Sequence, residues 1–94
     1  MIIITKIIID GNKFNNLEEF YQEIEKLFTK DIEFKIGHNL DAFNDLLSGG
    51  FGVNLKKPII IKWLSYHKSK KDLGDKTILK IIEIILNNNI KLEL

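Results

Sequence analysis

Apolar residues recur with two different periods along the chain, and the changes of period mark the elements. Residues 2–9, IIITKIII, are almost all β-branched and predict a strand buried on both faces, ended by Asp10 and Gly11. From Asn16 to Phe28 the period becomes helical. Leu17, Phe20, Tyr21, Ile24, Leu27 and Phe28 form one apolar stripe, leaving Glu18, Glu19, Glu23 and Glu25 to face water. Asn16 followed three residues later by Glu19 has the spacing of a capping box, with Asn in place of Ser or Thr. Residues 29–37 read as a loop closing on Gly37. A second helix is expected from Asn39 to Leu47, with Asn39 near its N-cap. Leu40, Phe43, Leu46 and Leu47 give it a buried side, and Asp41 and Asp45 lie four apart on another. The glycines of SGGFG, residues 48–52, then stop it, because glycine tolerates the left-handed backbone common at helix ends.

The second half repeats the alternation. Pro58 opens an apolar strand, IIIKW, at a position where the missing amide costs little. A short polar helix is expected over residues 65–72 and a strongly amphipathic one over residues 76–88, with Ile78, Leu79, Ile81, Ile82, Ile85 and Leu86 on its apolar face. Asn87, Asn88 and Asn89 end that helix, and residues 90–94 alternate as a last strand. The order β, α, α, β, α, α, β predicts an α/β fold in two layers, a three-stranded parallel sheet packed against about four helices. Ninety-four residues suit one domain, residues 1–94, with a single core.

Composition changes this picture little, whereas charge distribution changes it more. Hydrophobic residues make up 45% and charged residues 29%, values of an ordinary globular protein. Cysteine is absent, which excludes disulfides and Cys-based zinc sites and suits a reducing cytoplasm. The apolar start carries Lys6 and lacks a cleavage site, so it reads as structure and not as an address; no apolar run approaches the roughly 20 residues of a membrane span. The net charge of +1 conceals a split. Residues 31–55 hold Asp31, Glu33, Asp41 and Asp45 against Lys35, while residues 56–80 hold eight lysines against Asp72 and Asp75. All 14 basic residues are lysine, which removes the guanidinium fork best suited to reading bases.

No catalytic or metal constellation is legible. His38 and His67 are 29 residues apart without metal-ligand spacing, so neither metal nor cofactor is expected and the chain does not read as an enzyme. His38 reads as a residue at the start of the second helix, and His67 as a surface residue. The glycine segment follows a helix and lacks the Lys-Ser/Thr pair of a phosphate loop. Lys68, Lys70 and Lys71 read either as a solvated face or as a basic patch for RNA. Asp41 and Asp45 likewise have two readings. They are an ordinary exposed face, or a pair placed roughly 6 Å apart along the axis so that both carboxylates enter one cationic cleft. Spacing alone favours the first, and their local cost, like charges at i and i+4 on a residue type of poor helix propensity, shifts the balance somewhat toward the second.

NLDAFNDLLSGG, preceded by Gly37 and followed by PIIIKW, resembles the barstar family of ribonuclease inhibitors. The strand ending in Asp-Gly, the first helix, the pattern GxNLDAxxDxLxG, the Pro-led strand ending in Trp63 and the last helix and strand fall in the family's order, over most of the chain. The resemblance implies three parallel strands packed on helices. It also implies a cytoplasmic inhibitor, such as the immunity protein of a toxin, whose second helix and preceding loop plug a ribonuclease active site. The acidic side chains would stand in for substrate phosphates there. Asp45 matches the family's dominant hot-spot aspartate and Asp41 its neighbouring contact; Asn39, Leu40, Ala42, Ser48 and Gly49 match further contact positions, alongside Gly37 and His38. Glu83 approximates the family's acidic contact on the last helix. Lys35 and Asn44 depart from the aromatic and tryptophan found at those positions, which implies a changed target. The partner implied is a secreted or toxin-type ribonuclease, barnase-like or diverged, with no nucleic acid or membrane bound directly and a monomer when free. The alternative is the same fold used as an interaction module for a basic protein that is not a ribonuclease.

Overall fold

The sheet is built from three short strands that pair only in parallel. In this computed structural model, which describes residues 4–28, 37–49 and 58–94, β1 (Thr5–Asp10) and β3 (Lys91–Glu93) flank β2 (Ile59–Leu64). The β1–β2 register pairs Thr5 with Ile59 and Ile9 with Trp63, and Ile61 of β2 lies against Leu92 of β3. Each crossover carries two helices, α1 (Leu17–Phe28) and α2 (Leu40–Leu47) before β2, α3 (Tyr66–Leu73) and α4 (Asp75–Asn87) before β3. The expected α/β order and parallel sheet are therefore present. The loop expected at residues 29–37 falls, apart from Gly37, outside the described residues, as do Gly50 to Gly52 of the glycine segment.

One face of the sheet carries the core. Ile9, Ile59, Ile61 and Trp63 point inward from it and are buried, and Phe20 and Ile24 of α1, Phe43, Leu46 and Leu47 of α2, and Ile78, Ile81 and Ile85 of α4 close over them. Large apolar side chains buried in this way contribute roughly 1.5–3 kcal/mol each. Phe20 is the junction of the packing. Its ring stacks on Trp63 at 5.8 Å and meets Phe43 edge-on at 5.6 Å, so α1, the central strand and α2 share one aromatic cluster. The opposite face differs from the expected doubly buried strand. Ile4 and Ile8 are 52% and 46% exposed, because in a two-layer fold the alternate side chains of β1 project away from the helices.

The turn after β1 is held by contacts that no local pattern announces. Asp10 accepts from the Asn12 amide (2.9 Å) to start a 3-10 turn over Gly11–Lys13. A Cβ on Gly11 would lie 2.4 Å from the Ser69 hydroxyl and 2.6 Å from the Ser65 carbonyl, so only glycine allows this approach to α3. Lys68 of α3 is not a freely solvated lysine. Its ammonium donates to the carbonyls of Gly11 (3.1 Å) and Phe14 (3.0 Å) and to the side chains of Asn15 (3.0 Å) and Asp72 (2.5 Å). Beneath it the Trp63 indole N–H donates to the buried Ser69 hydroxyl (2.9 Å).

Candidate functional site

Asn39 has extended backbone and its side-chain oxygen accepts from the Ala42 amide (2.8 Å), which starts α2 one residue later. Ser48 and Gly49 end the helix, with the Gly49 backbone at φ +95°, where glycine replaces the strain a side chain would bring. Over the eight residues of α2 the buried arc is Ala42, Phe43, Leu46 and Leu47, and the outward face is Asp41, Asn44 and Asp45, continued by the C-cap Ser48. Ala42 is 7% exposed and packs inward, so of the contact positions implied by resemblance it is not available at the surface. Its methyl lies against the core because it falls two residues before Asn44 on the opposite side of the helix. Leu40 is half-buried and packs on the core's edge.

The outward face divides into two flanks. Asp41 and Asp45 are exposed, and among the described residues neither carboxylate has a hydrogen-bond or ion-pair partner. Asn44 and Ser48 are tied to the end of α4. The Asn88 amide donates to Asn44 Oδ1 (2.9 Å) and to the Ile84 carbonyl (2.8 Å), and its oxygen accepts from the Ser48 hydroxyl (2.7 Å), which also lies 2.9 Å from the Asn44 carbonyl. Asn88 was legible only as a helix stop, since its partners lie 40 and 44 residues away in sequence. Glu83 is exposed on α4 but sits five residues before Asn88, about 140° round the helix. Asn88 is the residue at the end of α4 that bonds to α2.

At the start of α2 stand Gly37 and His38. A Cβ on Gly37 would meet the Asn39 side-chain Nδ2 at 3.2 Å, so this residue lies close to the cap. His38 reaches α1. Its Nδ1 pairs with the Glu18 carboxylate, its Nε2 lies 3.2 Å from Glu25 Oε2, and its ring stacks on Tyr21 with centroids 5.9 Å apart. The Glu18 hydrogen bond raises the His38 pKa above its ordinary value, against the opposing effect of burial and with Glu25 adding to the rise. Burial likewise pushes the Tyr21 phenol up, with the Glu18 charge assisting. Expecting Glu18 and Glu25 simply to face water missed this pairing. Glu23, also expected in water, is 8% exposed, because it borders Leu27 at the edge of the α1 stripe. Lys35 lies outside the described residues.

Among the described residues no group of three or more His, Cys, Asp or Glu side chains is arranged to hold a metal ion. No helix among them is long and apolar enough to cross a membrane. The site is thus a helix face with two exposed carboxylates that have no partner among the described residues. Comparison with curated proteins gives no match. The sequence model of the family described as Barstar (barnase inhibitor) matches residues 4–91, nearly the whole length, and the chain belongs to the barstar family.

Proposed function

We propose that this chain, folded as one domain in the cytoplasm, is a ribonuclease inhibitor that inserts the outward face of α2 into the enzyme's active site and catalyses nothing itself. The observation that carries this reading is the pair Asp41 and Asp45, exposed and without partners among the described residues, on a helix whose opposite side is locked into the core. A ribonuclease binds phosphodiesters through cationic groups, and two carboxylates roughly 6 Å apart along a rigid helix can occupy those positions. Family membership supports the same direction, since the family is described as barnase inhibitors. Asn44, Ser48 and Gly49 would form the rim on one side, and Gly37, His38 and Asn39 the approach to the helix. Such an activity would suit the immunity protein of a ribonuclease toxin.

The test is capture of the partner on immobilised protein, followed by an RNA-cleavage assay of what is captured. The expected result is a ribonuclease whose cleavage stops at one equivalent of this chain. A captured protein that cleaves no RNA would overturn the reading in favour of an interaction module for another basic protein.

A further inference from the structure

His38 makes contacts that its place at the start of the second helix does not explain. It immediately precedes Asn39, the N-cap of α2, yet its ring contacts α1. Glu18, Tyr21 and Glu25 are spaced three and four residues apart and so form one stripe along the α1 surface. The two carboxylates take the two ring nitrogens, and the Tyr21 ring lies beneath at an interplanar angle of 24°. A neutral imidazole has one N–H and can donate to only one carboxylate; both contacts can be hydrogen bonds only when both nitrogens carry protons.

We propose that His38 is a charge-dependent latch, an imidazolium that ties the start of α2 to α1 through Glu18 and Glu25 and releases one of those ties on losing its proton. It acts on the α2 face of the preceding reading as a positioning residue, setting how firmly Asn39 and the first turn are held while Asp41 and Asp45 are presented. Among the described residues the charged and titratable groups at the ring are Glu18, Glu25 and Tyr21 from α1, and Asp41 stands three residues on along its own segment, in the first turn of α2. The ring is only partly screened by water, its side chain being 29% exposed. Since the folded pKa is raised above the ordinary value near 6.5, the tie is complete below about pH 6.5 and is lost as pH rises through the folded value. An inhibitor so built would hold its helix most firmly under mildly acidic conditions.

The measurement uses the free, full-length protein, so its outcome is independent of whether the partner is a ribonuclease. Long-range nitrogen–proton NMR of the imidazole ring is followed from pH 5.5 to 8.5, together with exchange of the Ala42 and Phe43 amides, which bond to the Asn39 side chain and carbonyl. Exchange rates are corrected for intrinsic base catalysis. His38 should keep the doubly protonated pattern above pH 6.5, and protection of both amides should fall at least threefold with the same midpoint. Glu18→Gln should lower that midpoint. His38→Lys, which keeps the charge through this range, should give protection that does not vary with pH, and His38→Gln protection that is low throughout. A midpoint at or below 6.5, amide protection that ignores it, or a His38→Lys profile matching the wild type would overturn the proposal. The wild-type titration alone decides it should a variant fail to fold.

Discussion

Replacing Asn88 with alanine removes three hydrogen bonds at once, to Asn44 Oδ1 at 2.9 Å, Ser48 Oγ at 2.7 Å and the Ile84 carbonyl at 2.8 Å. The backbone there, φ −95° and ψ 17°, suits alanine, so no strain is added. A hydrogen bond in a protein is worth about 0.5–1.5 kcal/mol net, and these lie near the surface, where water can replace the lost partner. Three bonds at the lower end of that range give a destabilisation of about 1.5 kcal/mol. For a chain of this size each kcal/mol lowers the melting temperature by about 4–8 °C, so a fall of about 6–12 °C is expected in a thermal melt, with a matching shift in urea midpoint at unchanged slope. In an Asn44→Ala background the Asn88→Ala loss should shrink by about 0.5 kcal/mol, because one bond is already absent. A loss below about 0.5 kcal/mol, or full additivity with Asn44→Ala, would refute the clamp between α2 and α4.

Two further substitutions probe elements that support the site. Asn39→Ala should cost about 1 kcal/mol by denaturant unfolding, through loss of the bond to the Ala42 amide, and Asn39→Asp should restore most of it. Lys68→Met keeps the apolar stem but leaves the Gly11 and Phe14 carbonyls without their charged donor, for an expected loss of about 1.5–3 kcal/mol in the same measurement. Lys70→Met and Lys71→Met, on exposed positions of the same helix, should stay within about 0.5 kcal/mol of the parent.

The legible parts of this protein are those decided within a few residues of sequence. Period and punctuation located every described strand and α-helix to within a few residues, though not the 3-10 turn at Gly11–Lys13, because a stripe such as Phe20–Ile24–Phe28 or a cap such as Asn39 acts locally. The capping pattern at Asn16 and Glu19 forms in one direction, the Glu19 amide donating to the Asn16 side chain, while the Glu19 carboxylate accepts from the amide of Asn15, one residue before the cap. The exposed side of β1 was misread because a run of isoleucines carries no alternation; Ile8 and Ile9 are the same residue type on opposite faces.

Within the site, the outward position of Asp41 and Asp45 follows from helical spacing alone. What was hidden depends on chain segments meeting in space. Nothing near Glu18 foretells His38, 20 residues on, nor does anything near Asn88 foretell Asn44 and Ser48. Lys68 looked like one of three equivalent lysines until the Gly11 turn packed against it. Ala42 was placed by resemblance to a pattern, and its side of the helix is the one buried against the core.

The central claim is that α2 inhibits a ribonuclease through its carboxylates, and the ratio of inhibition constants between the parent and Asp45→Ala, measured by RNA cleavage on the captured enzyme, tests it most directly. A carboxylate buried against cationic groups leaves them unpaired when truncated, a loss of about 3–5 kcal/mol, or more than a hundredfold in affinity. The expected result is a weakening of more than a hundredfold for Asp45→Ala with an unchanged melting temperature. Equal inhibition by the parent and a folded Asp45→Ala would contradict it.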